Sequence, residues 1–149
     1  ESPEYFCDRE AETTQLISDL NNGWNITLFS PRRMGKTGLI KNAFYRLQHE
    51  AKDTVCVYVD IFGTNDLSDF VQAFGTAILK ALLSKGEKAL RRAMQFFAAW
   101  RPVVSMDPMT GEPSVSVTLE SRDSTVDLKQ IFDLTKDSGK QIYVAIDEF

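Results

Sequence analysis

Two groups of residues in this sequence have the composition and spacing of a nucleotide-binding site. The first ends in Gly-Lys-Thr and is typical of a loop that surrounds phosphate groups with backbone N–H groups. In such a loop the lysine reaches the β and γ phosphates, and the Ser or Thr hydroxyl binds Mg²⁺. We expect a nucleoside triphosphate to be bound by Ser30, Pro31, Arg32, Arg33, Met34, Gly35, Lys36, Thr37 and Gly38. Ser30 stands where the pattern usually has glycine.

The second group is the acidic pair Asp147 and Glu148, which follows the apolar run from Gln141 to Ile146. An uninterrupted apolar run is typical of a strand buried on both faces of a parallel sheet, and ligands bind at the carboxyl ends of such strands. An aspartate there can bind Mg²⁺, and an adjacent glutamate can deprotonate the attacking water. We therefore assign Thr37 and Asp147 to the metal, and Lys36 and Glu148 to catalysis.

The elements around the loop are in the order that a phosphate-binding loop requires. Asn25 to Phe29 is rich in β-branched and aromatic residues and follows a turn, so we expect a short buried strand. After the loop the apolar period becomes helical. That helix carries Leu39, Ile40, Ala43, Phe44 and Leu47. The positive end of its dipole would face the phosphates.

The middle of the chain alternates further strands and helices. Thr54 to Phe62 is predicted as a strand, and Asn65 as the N-cap of a helix whose apolar face runs from Leu67 to Leu82. A helix from Glu87 to Trp100 and a hairpin insertion from Pro102 to Glu120 follow. A last helix begins at Ser124 and closes at Gly139. This alternation predicts an α/β fold with a parallel sheet.

Three motifs resemble those of archaeal-type and STAND-like P-loop ATPases, which belong to the AAA-like ATPases. The segment from Phe6 to Glu12 is similar to the box that precedes their loop, with Asp8 in place of glycine. Pro-Arg-Arg-x-Gly-Lys-Thr resembles their Walker A loop, and Ile-Asp-Glu-Phe resembles their Walker B strand. An immediately adjacent Glu148 resembles the ATPase branch more than the GTPases, so ATP is the expected nucleotide.

This resemblance implies a three-layer αβα P-loop NTPase core with a parallel sheet, formed by residues 1–149 as one domain. It implies that Phe6 and Arg9 lie near the adenine and ribose. On the residues alone, Asp8 could instead cap a helix that carries Leu16, Ile17 and Leu20. The resemblance also implies that the domain continues beyond Phe149. The sheet would then be incomplete, and either its two motif strands pair directly or another copy completes it.

Composition limits the remaining functions. The 149 residues are 43% hydrophobic, which suits a folded domain, and no apolar run approaches the ~18 residues of a membrane span. The net charge of -4 disfavours nucleic-acid binding. Cys7 and Cys56 lack the spacing of metal ligands, and we expect two thiols in a cytoplasmic protein.

Three functions remain open at this point. The first is the Mg-ATP-binding core of an ATPase whose hydrolysis switches or powers an effector region outside this chain. The second is a small-molecule kinase that shares the loop, which the pair Asp147 and Glu148 disfavours. The third is an interaction module with a degenerate loop, suggested by Ser30. Another copy of the chain could associate through exposed sheet edges.

Overall fold

The computed structural model describes residues 9–31, 33–83, 100–106, 113–119 and 124–148. Four helices lie in this part of the chain: α1 (Glu10–Asn21), α2 (Lys36–Glu50), α3 (Leu67–Leu83) and α4 (Ser124–Asp137). The described strands are β1 (Thr54–Asp60), β2 (Trp100–Met106), β3 (Pro113–Leu119) and β4 (Gln141–Asp147). The fold is therefore mixed α/β, as the sequence predicts.

The described strands form two small sheets. β1 and β4 form a two-stranded parallel sheet, and β2 and β3 form an antiparallel hairpin. In the hairpin Trp100 lies opposite Leu119, and Met106 lies opposite Pro113. The predicted hairpin is confirmed, although its turn at 107–112 lies outside the described residues. The predicted helix from Glu87 to Trp100 is wrong at Trp100, which is the first residue of β2. Residues 84–99 lie outside the described residues.

The chain divides into two compact units, Glu1–Cys56 and Val57–Phe149. In the first unit α1 packs against α2 around Leu16, Leu39 and Ala43. Four partly buried side chains pack on this cluster: Ile17, Leu20, Ile26 and Leu28. The helical apolar period of α1 and α2 therefore predicts their contact faces correctly.

The second unit has its own buried apolar residues. α3 lies against α4 and β3, and buries Val71, Phe74 and Ile78 on one side. α4 contributes Ile131 and Leu134. α3 begins one residue later than predicted, because the Asp66 carboxylate, and not Asn65, accepts the hydrogen bond from the Asp69 N–H at 2.9 Å. α4 ends at Asp137. Gly139, two residues later, closes it with a left-handed φ of 66°, as predicted.

Two predictions about strands near the motifs are wrong. Residues 25–29 belong to neither described sheet, so they do not pair with β4, whose described neighbour is β1. Ile26 and Leu28 face the α1–α2 cluster in alternation, but Phe29 is 91% exposed. β4 is a strand, as predicted, but it is not buried on both faces, because Val144 is 41% and Ile146 43% exposed. A strand needs a ladder partner and a cover on each face, and composition alone specifies neither.

Within the described residues, no helix is long and apolar enough to cross a membrane. Cys56 lies in β1 as a thiol and is not part of a disulfide. Cys7 lies outside the described residues.

Candidate phosphate-binding loop and acidic strand end

The loop before α2 has the backbone conformation of a tight turn into a helix. Gly35 is the N-cap of α2 and has a φ of 75° and a ψ of 21°, in the left-handed region that glycine adopts without strain. Arg33, two residues earlier, also has a positive φ of 65°. This pair of left-handed residues turns the chain sharply where the Walker A pattern predicts a phosphate loop. Arg32 lies outside the described residues.

Lys36 is folded back across the loop that precedes it. Its Nζ donates a hydrogen bond to the Ser30 carbonyl oxygen at 2.9 Å and makes a longer contact of 3.4 Å with the Pro31 carbonyl oxygen. The ammonium group therefore lies beside the start of the loop, although Lys36 itself is the first residue of α2. The Ser30 hydroxyl makes a long contact of 3.4 Å with the Pro31 carbonyl oxygen. The structure thus brings Ser30, Pro31 and Lys36 together.

The N-terminus of α2 is electrostatically suited to an anion. Its N-cap is Gly35, which has no side chain that could cap it, and its first turn contains no acidic residue. Because the first N–H groups of a helix lack intrahelical acceptors, an uncapped N-terminus carries partial positive charge. Thr37 and Gly38 lie in this first turn, next to Lys36. These features fit a bound phosphate, so the residues present are compatible with the group that the sequence predicts.

Arg9 contacts the loop from the start of α1. Its Nη1 donates to the Met34 carbonyl oxygen at 2.9 Å, while its Nε and Nη2 both donate to the Glu12 carboxylate. The hydrogen bond with Glu12 raises the pKa of Arg9 and lowers the pKa of Glu12. Arg9 was predicted on the base side of the nucleotide, and the structure places it against the loop itself. Phe6, the other predicted base contact, lies outside the described residues.

A groove of about 440 Å³ runs beside Arg9 in the first unit. Its lining combines the apolar residues Leu16, Ile26 and Leu28 with the polar residues Glu12, Gln15 and Asp19. Phe29 and Leu39 also line the groove. An open groove lined by both apolar and polar residues suits a flat group with hydrogen-bonding edges.

The acidic pair lies at the carboxyl end of β4, in the second unit. The Tyr58 hydroxyl of β1 donates to Oδ2 of Asp147 at 2.5 Å, and the Glu148 N–H donates to Oδ1 at 3.0 Å. The Ile61 N–H donates to the Asp147 carbonyl oxygen at 3.2 Å. Both carboxylate oxygens of Asp147 are therefore held by the protein at the end of the parallel pair.

Glu148 is exposed and has a left-handed φ of 60°. For a residue with a Cβ this conformation costs roughly 1–2 kcal/mol. Residues with a strained backbone concentrate at functional sites, where the position of the side chain outweighs the cost to the stability of the fold. The strain is therefore consistent with the predicted role of Glu148 as the base.

Asp60, at the end of β1, has a structural explanation. Its Oδ1 accepts a hydrogen bond from the Phe62 N–H at 2.9 Å, which is an Asx turn. The turn that ends β1 therefore explains why a polar residue lies at this position. Among the described residues, no group of three or more His, Cys, Asp or Glu side chains could hold a metal ion by itself.

The sequence predicts no role for Tyr58, and none for Glu12 beyond its place at the end of the Phe6 to Glu12 box. Tyr58 lies in the apolar pattern of β1, and such a pattern does not show which strand lies beside it. Glu12 follows Arg9 by three residues, a spacing that allows an ion pair at a helix start. This spacing is the signal from which the contact between Arg9 and Glu12 could have been predicted.

Comparisons with protein families, characterised proteins and solved structures find no match.

Proposed function

We propose that this chain is the nucleotide-binding core of a P-loop ATPase that binds Mg-ATP and hydrolyses it to switch or power an effector region. The observation that carries the proposal is the position of Lys36 at the start of α2, with its Nζ 2.9 Å from the Ser30 carbonyl oxygen. A cation folded over a left-handed turn at a positive helix end is an arrangement that suits a polyphosphate. The proposed fold is the three-layer P-loop core, in one domain over residues 1–149.

Each residue has a specific task in this proposal. Lys36 and the N–H groups from Met34 to Gly38 bind the phosphates, and the groove beside Arg9 takes the adenine. Thr37 and Asp147 are the residues that would hold Mg²⁺, which would neutralise charge on the phosphates. Glu148 accepts a proton from the attacking water, which raises the nucleophilicity of that water. The cytoplasm is the proposed compartment.

A titration of Mg-ATP into the full chain by calorimetry tests the proposal. We expect saturable binding that Lys36→Ala abolishes, because the loop then loses the cation nearest the phosphates. Lys52→Ala is the matched control, because it removes the same charge from an exposed residue in the turn after α2. GTP should compete less well than ATP. Equal affinity in wild type and Lys36→Ala would refute the proposal.

An interaction module is the second candidate, and one observation favours it. Phe29 is 91% exposed beside a loop in which Ser30 replaces the usual glycine. An exposed aromatic side chain is a common anchor for a protein partner. Under this alternative a folded chain would bind no Mg-ATP. Association of copies through the half-exposed β4 also remains a proposal, and sedimentation over a range of concentrations would test it.

A further inference from the structure

Arg9 is held at two places by separate parts of its guanidinium group. Nε and Nη2 face the Glu12 carboxylate, and Nη1 faces the Met34 carbonyl oxygen at 2.9 Å. A planar guanidinium held at both edges has a defined orientation, which a lysine ammonium would not have. Arg9 therefore links the start of α1 to the residue before Gly35.

We propose that Arg9 is a positioning residue that sets the orientation of the Met34–Gly35 peptide, and with it the Gly35 N–H. This inference rests on the proposed function of the loop. The C=O and N–H of a trans peptide point in opposite directions. Because the Met34 carbonyl points at Arg9, the Gly35 N–H points away from Arg9 and can donate to a bound phosphate.

Gly35 is the residue at which such control is needed. Glycine populates positive and negative φ about equally, so the peptide before it can rotate at little cost unless something holds it. Arg9 is close enough to do so, since a Cβ added to Gly35 would lie 3.9 Å from Nη1. The contact thus restricts the most permissive residue of the loop.

Arg9 is itself anchored to a packed helix pair. Its carbonyl oxygen accepts hydrogen bonds from the Thr13 N–H at 2.9 Å and from the Thr13 hydroxyl at 2.8 Å. Asn42 of α2 contacts the same Thr13 hydroxyl at 3.4 Å, within the buried contact of the two helices. The packing of α1 against α2 therefore fixes the position of Arg9. Arg9 in turn fixes the position of the Met34 carbonyl in the loop.

Two variants of the full chain test the inference. Arg9→Lys keeps the charge but cannot contact Glu12 with two donors while reaching Met34, and Glu12→Gln weakens the anchor of Arg9. We expect the dissociation constant for Mg-ATP to rise about tenfold in both, as the loss of one charged hydrogen bond would give. Arg46→Lys is the control, because Arg46 contacts Glu10 and no contact joins it to the described residues of the loop.

Three further measurements separate this role from others. Mg-tripolyphosphate, which has no base, should lose affinity in Arg9→Lys as much as Mg-ATP does. The Gly35 amide signal in ¹H–¹⁵N spectra of the ligand-free chain should move in Arg9→Lys and Glu12→Gln but not in Arg46→Lys. The melting temperature should fall no further in Arg9→Lys than in Arg46→Lys.

The possible failures are distinguishable. If wild type binds Mg-ATP and Lys36→Ala does not, but Arg9→Lys binds as wild type with an unmoved Gly35 signal, only this inference fails. If Arg9→Lys loses affinity for Mg-ATP and keeps it for Mg-tripolyphosphate, Arg9 acts on the base and the inference is wrong. If wild type binds neither ligand, the proposed function fails, and the inference fails with it.

Discussion

The Tyr58 hydroxyl donates a hydrogen bond of 2.5 Å to Oδ2 of Asp147, across 89 residues of sequence. The bond joins the two strands of the parallel sheet, β1 and β4, close to the end where the acidic pair lies. A tyrosine hydroxyl on a carboxylate orients that carboxylate and stabilises the contact between the strands. Tyr58 is thereby a structural support of the candidate metal ligand.

Removal of this hydroxyl should destabilise the fold. We expect Tyr58→Phe to lower the free energy of unfolding by about 1.5–3 kcal/mol, as for other hydrogen bonds to charged groups. Urea denaturation measures this change. Tyr45→Phe is the control, because Tyr45 is exposed on α2. In an Asp147→Asn background Tyr58→Phe should cost less, and an equal cost would show that the two residues are not coupled.

Glu148→Gln should separate hydrolysis from binding. Loss of a general base lowers kcat by roughly 10²–10⁴-fold, whereas the amide has nearly the same shape and the affinity for Mg-ATP should remain. Single-turnover hydrolysis and calorimetry measure the two effects. Glu50→Gln, at the exposed end of α2, is the control. Normal turnover in Glu148→Gln would exclude Glu148 as the base.

The ion pair between Glu10 and Arg46 should make stability depend on pH. Its contact of 2.5 Å joins α1 to α2, and the hydrogen bond from Arg46 lowers the pKa of Glu10 below its ordinary value of 4.5. The stabilisation is therefore present above pH 4.5 and is lost as the pH falls through the lowered pKa. Glu10→Gln should lower the melting temperature at pH 7, and by less at pH 3.

The control for the pH experiment is Asp133→Asn, which removes an exposed charge from α4. Its effect on the melting temperature should be small at both pH values, because surface charges without a defined partner contribute little. A difference between wild type and Glu10→Gln that grows below pH 4.5 would contradict the assignment.

Two neighbouring apolar residues of α4 should respond differently to truncation. Ile131 is fully buried and Phe132 is 54% exposed. Ile131→Ala should lower the free energy of unfolding by about 2–5 kcal/mol, because it leaves a cavity in a packed interior. Phe132→Ala should cost less, although it loses a ring contact with Phe74. Denaturant unfolding of both variants checks the order, and a reversed order would mean that α4 packs in another register.

Elements with a strong local pattern were predictable from the sequence. The helical apolar period located α2, α3 and α4, and alternation located the hairpin of β2 and β3. The left-handed turn at Gly35 and the closure of α4 at Gly139 follow from glycine at positions that require a positive φ. The position of Asp147 at the end of β4 was predicted in the same way.

Contacts between distant residues were not predictable. The strand composition of residues 25–29 gave no information on whether a partner strand adjoins them, and the structure places them in neither described sheet. Arg9 is 25 residues from Met34, and nothing in either segment indicates the other.

The sequence by itself determined that α2, α3 and α4 are helical, where the loop turns, and which charged groups stand at the loop and at the strand end. These properties depend on a few consecutive residues, because backbone propensity and apolar period act locally. Only the tertiary structure decided that Arg9 faces Met34, that Tyr58 faces Asp147, and that β4 adjoins β1. Those choices depend on which surfaces pack together, and many segments of similar composition could satisfy the same local pattern.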